Sequence, residues 1–281
     1  MAGPTRRSLH ACFDGTVGFY EHVSAEIGGR MRFAVFLPPQ AGRGKVPVLL
    51  YLAGLTCTEE TFMTKAGALR EAARLGLALV SCDTSPREQR YPGDDASWDF
   101  GQGAGFYVDA TQPPWRDAYR LYSYVSRELP ALVDGAFPVD PARWGIFGHS
   151  MGGHGALVVG LRNADRFRSL SAFAPISAPM QVPWGRKAFA NYLGPDQESW
   201  RQYDACELVA SGKSTGEILV DQGLNDQFLV DQLKPELLHA ACIQAGQKIT
   251  LRRHAAYDHG YYFIQTFIAD HLAHHARILQ G

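Results

Sequence analysis

Between Trp144 and Gly155 the chain reads Trp-Gly-Ile-Phe-Gly-His-Ser-Met-Gly-Gly-His-Gly, and no other stretch restricts the fold as much. An apolar, β-rich run ends in a glycine. A serine follows two residues later, and a small-residue segment suited to a helix begins at once. Gly148-His149-Ser150-Met151-Gly152 fits the pattern G-x-S-x-G, a sharp strand-to-helix turn that exposes a strained serine. Glycines two before and two after it let neighbouring backbone approach without a Cβ clash. The helix start places N–H groups and a positive dipole end beside the hydroxyl. An unreactive glycine-rich turn is the plain alternative. The strand in front and Gly153 and Gly155 behind favour a nucleophile at Ser150.

The rest of the chain supplies a scaffold for such a turn. Val48–Leu52, Leu77–Cys82, Trp144–Phe147, Leu170–Ala174 and Ile218–Asp221 are short and apolar, as expected of parallel strands buried on both faces. Lys248–Arg252 alternates in polarity and suits a strand nearer an edge. Tyr20–Val23 and Met31–Leu37 alternate too and predict an opening antiparallel hairpin, with Gly28-Gly29 at or near its turn. Helical spacing marks Thr64–Leu75, stopped by Gly76, and Trp115–Leu129, ended by Pro130. It also marks Ser150–Leu161, Gln232–Ala245 and Tyr261–Leu279. The βαβ alternation predicts an α/β fold in one domain, residues 1–281, with helices on both faces of the sheet. Thr84–Pro114 and Ser177–Ala205, rich in aromatics, Gly and Pro, read as long functional loops.

A net charge of −1 gives no electrostatic footprint for nucleic acid or an anionic membrane. Residues 1–18 hold no apolar run of signal-peptide type. The strongest apolar run, Val46–Leu55, is too short to span a bilayer. The five cysteines are scattered and form no C-x-x-C pair, so neither a disulfide framework nor a zinc ribbon is expected, and a reducing cytoplasm is the simplest compartment.

A serine nucleophile needs a base and an acid, and the α/β-hydrolase order is Ser, then Asp or Glu, then His. Two carboxylates follow the Ile218 strand. Asp221 is still at the strand end, where a loop-capping hydrogen bond is expected of it. Asp226 lies beyond the Gly223 turn, free to reach a histidine, and is the preferred acid. For the base, His259 sits in Tyr257-Asp258-His259-Gly260, between the last strand and the last helix. His254 is the rival but lies at a strand end. His149 neighbours Ser150 on a turn where adjacent side chains diverge, so it is read as packing, as is His154. His239, His271, His274 and His275 fall on helices, and the spacing of the last three suggests a solvated face rather than a metal site. In the resulting scheme His259 takes the Ser150 proton as Oγ attacks an acyl carbonyl, and Asp226 orients the imidazole. The oxyanion needs two N–H donors; the expected ones are Met151 and Leu55, the latter on the loop after Leu52. No metal or organic cofactor is required.

Six segments extend this reading: Tyr51–Glu59, Ser97–Thr111, Phe147–Gly155, Ser171–Ile176, Asp221–Leu229 and Tyr257–Phe263. With them the chain resembles the S-formylglutathione hydrolase (esterase D) family over nearly its whole length. The resemblance implies an α/β-hydrolase fold, with a mostly parallel central sheet and an antiparallel N-terminal hairpin. It implies the triad Ser150, Asp226 and His259 and the oxyanion donors Leu55 and Met151. The implied reaction is hydrolysis of the thioester S-formylglutathione to formate and glutathione, a step of formaldehyde detoxification, with cleavage of simple carboxylic esters beside it. The resemblance also makes a homodimer plausible, with no signature of its own. Gly260 departs from the family pattern, since relatives often carry a polar residue there, and Arg87–Pro92 lies in a region that varies between members.

A formyl group needs a small acyl pocket, and glutathione an open groove, which the loops around Trp98–Tyr107 and Pro183–Lys187 are placed to wall. Trp98 and Trp184 are candidate lining residues, or else core anchors of those loops. Cys57, two residues past Leu55, is expected near Ser150 without being a nucleophile, or else as a small buried hydrophobe. Gly101, Gly103 and Gly105 do not make G-x-G-x-x-G, because Phe106 takes the last position, so nucleotide binding is disfavoured. The competing functions are a broad carboxylesterase or acyltransferase, a non-catalytic binding module on a hydrolase scaffold, and, more distantly, a thiol hydrolase using Cys57 or Cys82.

Overall fold

The computed structural model describes residues 3–281. Nine strands form one sheet: β1 (Thr5–Cys12), β2 (Gly15–Ser24), β3 (Gly29–Leu37), β4 (Val46–Leu52), β5 (Ala78–Cys82), β6 (Val139–His149), β7 (Phe167–Phe173), β8 (Ile218–Gly223) and β9 (Ile249–His254). Their order across the sheet is β1-β2-β3-β5-β4-β6-β7-β8-β9. The first three strands and the β3–β5 pair are antiparallel, and every pair from β5 to β9 is parallel. The expected hairpin is therefore present, as β2 and β3, with Gly28 at φ +69° in its turn. Strand β1 was not anticipated. Its residues are mostly exposed and carry no apolar alternation, so only pairing with β2 makes it a strand.

All seven residues of β4 and all five of β5 are buried, as continuous apolar runs between helix layers must be. The helices are α1 (Glu59–Lys65), α2 (Leu69–Leu75), the short α3 (Leu121–Ser123), α4 (Leu129–Ala136), α5 (Met151–Arg162), α6 (Pro183–Tyr192), α7 (Ala205–Ala210), α8 (Pro235–Ala245) and α9 (Tyr261–Gln280). The helix predicted over Thr64–Leu75 is two, because Gly67 takes φ +66° and turns the chain between them. Pro130 does not end its helix. A wide π turn over Tyr124–Glu128, closed by Leu129 N–H to the Tyr124 carbonyl, precedes α4 and takes the proline into its first turn.

Ser177–Ala205 is not a plain loop either, since α6 and a 3₁₀ segment, Gln197–Tyr203, lie within it. It packs on the irregular stretch Thr84–Pro114 through aromatic rings: Phe100 stacks on Tyr192 at 4.7 Å, with Trp115 edge-on to Phe100 at 5.0 Å. The Tyr192 hydroxyl donates to the Ala104 carbonyl at 2.9 Å and accepts the Gly101 N–H at 3.1 Å. These contacts anchor one long segment on the other at the carboxyl edge of the parallel strands, where open α/β sheets bind ligands.

Candidate active site

Strand β6 delivers His149 and Ser150 to that edge. Ser150 has φ 59° and ψ −120°, a conformation that costs a non-glycine residue of the order of 1–3 kcal/mol. The turn is kept by its surroundings. The Ser150 N–H donates to the Phe173 carbonyl at 3.0 Å, and its carbonyl accepts from His154 at 3.0 Å and Ile176 at 3.2 Å. A Cβ on Gly148 would overlap the Gly152 carbonyl, and one on Gly152 the Leu52 carbonyl. Both glycines of G-x-S-x-G are thus required by close backbone approach.

The Ser150 hydroxyl lies 2.9 Å from His259 Nε2, and His259 Nδ1 lies 2.6 Å from Asp226 Oδ2. These are hydrogen-bonding distances for a nucleophile, a base and its orienting acid. The Asp226 side chain is fully buried. Its Oδ1 accepts the Phe228 N–H at 2.9 Å, and its Oδ2 also accepts the Gln222 carboxamide at 3.2 Å. Four hydrogen bonds therefore hold the carboxylate and imidazole in one orientation. Phe228 meets the His259 ring edge-on at 5.0 Å.

Asp221 does something else. Its side chain is wholly buried and paired two-pronged with Arg252, Nε to Oδ1 and Nη2 to Oδ2 both at 2.6 Å. His254 and His271 approach it at 3.3 Å each. It caps no loop; it is the centre of a buried charge cluster behind the sheet edge. Burial alone would raise its carboxyl pKa, but the Arg252 guanidinium paired with it and the His271 imidazole close by outweigh that and hold it well below the usual range. His254 is turned to this cluster, stacked on Phe267 at 3.8 Å.

The expectation of a solvated histidine face on α9 is overturned. His271, His274 and His275 are all buried. His271 shares a hydrogen bond with the Ser171 hydroxyl at 2.8 Å, and His275 joins Ser169 at 2.7 Å and Ser171 at 2.9 Å. Serines on β7 make that helix face polar inside the molecule, a pairing that sequence spacing does not reveal. His149 also departs from expectation. Its ring does not diverge from the site but lies over His259, centroids 4.4 Å apart, and burial followed by the neighbouring histidine keeps it neutral well below its usual pKa. His154 is a core residue, bonded to the Phe106 carbonyl at 3.0 Å.

The chain after β4 passes directly over the turn. A Cβ on Gly54 would sit 3.2 Å from the Ser150 Cβ, so only glycine fits without displacement. Leu55 follows on this loop, and Met151 opens α5. Among the described residues no turn or loop carbonyl engages either N–H, and the first N–H groups of a helix have no partner within it. Together with Ser150 and His259, the residues Leu55, Cys57, Trp98, Trp184 and Phe228 surround a pocket of about 180 Å³. Trp98 and Trp184 meet edge-on at 5.3 Å; Trp184 is buried, while Trp98 is 55% exposed, which makes it a rim residue rather than a core anchor. Cys57 lines the pocket, and Cys82 is fully buried within the core, with no place in it. Phe228, Gln222 and Tyr261 had no role assigned from sequence. The polar turn around Asp226 signalled the first two only as neighbours.

Among the described residues no helix is long and apolar enough to cross a membrane, and no group of three or more His, Cys, Asp or Glu could hold a metal ion. The fold and the site geometry are those of an α/β-hydrolase esterase. The Esterase family model matches residues 24–274. The mouse S-formylglutathione hydrolase is 53% identical over 98% of this chain and 98% of its own length, and the bovine one 52% over the same shares. The structure of an S-formylglutathione hydrolase from Agrobacterium tumefaciens superposes with a TM-score of 0.96 at 48% identity, covering 98% of this chain and 99% of the other. A fluorophosphonate-binding serine hydrolase of Staphylococcus aureus shares the fold at 19% identity, with a TM-score of 0.73 over 93% of this chain and 98% of its own. The chain belongs to the S-formylglutathione hydrolase family of esterases.

Proposed function

We propose that this chain hydrolyses S-formylglutathione to formate and glutathione, with Ser150 as nucleophile, His259 as general base and acid, and Asp226 as the carboxylate that orients it. The observation that carries the reading is the unbroken hydrogen-bond chain from Ser150 Oγ through His259 to Asp226 at the wall of a small pocket. Oγ attacks the formyl carbon as its proton passes to His259 Nε2, and the carbonyl electron pair moves onto oxygen, facing the Leu55 and Met151 N–H groups. Collapse expels the sulfur of glutathione, which takes that proton, and leaves a formyl ester on Ser150. Water then attacks the ester, giving up a proton to His259, and the serine leaves with it, releasing formate.

Size supports the acyl half of this reading. The pocket's 180 Å³ is below the roughly 300–1,000 Å³ of drug-sized sites and holds a formyl or acetyl group with the thioester sulfur. Trp98, Trp184 and Cys57 are its substrate-facing lining. Nothing in so small a pocket rejects a short simple ester, so carboxylesterase activity on such esters is a second expectation. All five cysteines are free, which supports a cytoplasmic location, and one continuous core from Val17 to Leu279 supports a single domain. A homodimer stays with the resemblance alone, and sedimentation decides it.

Steady-state hydrolysis of S-formylglutathione by wild type and Ser150→Ala tests the assignment. Turnover by the first and its near-abolition in the second are expected, together with stoichiometric labelling of Ser150 by an organophosphate. A folded wild type that is neither labelled nor active would instead be a binding module.

A further inference from the structure

Two lysines lie near residues that line the catalytic pocket, and they differ in their pairing. On the α6 side Lys187 Nζ is already held by Asp99 Oδ1 at 2.6 Å and Ser97 Oγ at 2.9 Å. On the α9 side Tyr261 lines both the catalytic pocket and a second cleft of about 440 Å³, bounded also by Lys65, Tyr262 and Gln265. Lys65 is the exposed last residue of α1 and forms no ion pair with any described carboxylate. Its charge is nevertheless felt inside the pocket, where it favours the Cys57 thiolate against the larger opposing effect of burial. Tyr262 stands 83% exposed beside it.

The chemistry of the leaving group points the same way. With the carbonyl oxygen facing Leu55 and Met151, the sulfur must face His259 Nε2 to receive its proton. His259 and Tyr261 line the same pocket, so a leaving group that starts at His259 has Tyr261, and the cleft that Tyr261 shares, within its surroundings. Glutathione joined through sulfur keeps two carboxylates and one ammonium, a net anion. We propose that the cleft bounded by Lys65, Tyr261, Tyr262 and Gln265 seats the peptide part of the glutathione thioester, with Lys65 pairing with one of its carboxylates. This rests on the proposed function and adds the subsite for its leaving group.

Two substrates and one inhibitor test it on the full chain. S-formylglutathione is anionic; a short neutral aryl acetate uses the same serine without entering the cleft. S-methylglutathione, which cannot be hydrolysed, competes with the aryl acetate only through its peptide. Lys65→Glu should lower kcat/KM for S-formylglutathione about three- to tenfold, through KM, and weaken S-methylglutathione inhibition to the same extent. Aryl acetate turnover should stay within about twofold, which also reports an intact fold, and Lys65→Arg should keep wild-type values. Equal loss on both substrates, or unchanged S-methylglutathione inhibition in Lys65→Glu, overturns the assignment. A wild type that cleaves the aryl acetate and leaves S-formylglutathione intact sinks the functional reading itself, and this subsite with it.

Discussion

Gln222 donates its carboxamide to Asp226 Oδ2 at 3.2 Å, the same oxygen that His259 Nδ1 reaches at 2.6 Å. The end of strand β8 therefore helps aim the carboxylate at the imidazole. Gln222→Leu should lower kcat about tenfold with KM little changed, the equivalent of one charge-assisted hydrogen bond of roughly 1.5 kcal/mol. Gln222→Glu should be worse, because it sets a second carboxylate against Asp226. Equal kcat in wild type and both variants would remove Gln222 from the machinery.

Asp221 and Asp226 separate by experiment as they do in space. Asp226→Asn should fold normally and lose on the order of 10⁴ in kcat, because the imidazole loses its orienting acceptor. Asp221→Asn should keep kcat in the folded fraction while unfolding about 3 kcal/mol more easily, since the buried pair with Arg252 is broken. Urea titration beside single-turnover kinetics reads both effects.

Gly54 sits against the turn at Ser150, beside the proposed oxyanion donors. Gly54→Ala puts a methyl 3.2 Å from the Ser150 Cβ and shifts the Leu55 N–H by a few tenths of an ångström. The expected loss is about 10- to 100-fold in kcat, with thermal stability changed little. Unaltered kcat would mean that the Leu55 N–H takes no part.

Acid should unfold the protein earlier than its carboxylates alone would require. Burial drives the His154 imidazole down to about 4, with the Phe106 carbonyl only partly opposing it. The unfolded chain takes up that proton near pH 6.5. Stability is then complete above about pH 6.5 and lost as pH falls toward 4, because the unfolded state binds the proton first. For His154 the loss is on the order of 3 kcal/mol by pH 4. His149, His271 and His275 are depressed too and steepen the fall. Urea midpoints from pH 7 to 4.5 should decline throughout; a flat profile down to pH 5 contradicts this account.

Cys57 should be a bystander with a sensitive address. Burial raises its thiol pKa, so maleimide labelling is expected to be slow at pH 7 and faster as pH rises. The labelled enzyme should be inactive, because the adduct fills the pocket, whereas Cys57→Ala should keep wild-type turnover. Loss of activity in a well-folded Cys57→Ala would give the thiol a chemical role.

The turn at Ser150, the three side chains that meet there as candidate serine, acid and base, and the buried strands were legible because each follows from local rules. A strained elbow needs glycines at fixed offsets, a strand buried on both faces is continuously apolar, and a base belongs on the loop before the last helix. Strand β1 and the histidines of α9 were not legible, because their state depends on what lies opposite. Thr5–Cys12 is a strand only beside β2, and His271 and His275 are buried only because β7 offers Ser169 and Ser171. The nearness of His149 to His259 and the pairing of Asp221 with Arg252 join residues 110 and 31 positions apart. By itself the sequence determined which groups the chain possesses and the local turns that present them. Which carboxylate meets the imidazole, which histidines lose their water, and where the pocket opens were decided only when the strands took their order in the sheet, because distance, burial and charge pairing exist only between parts brought together in space.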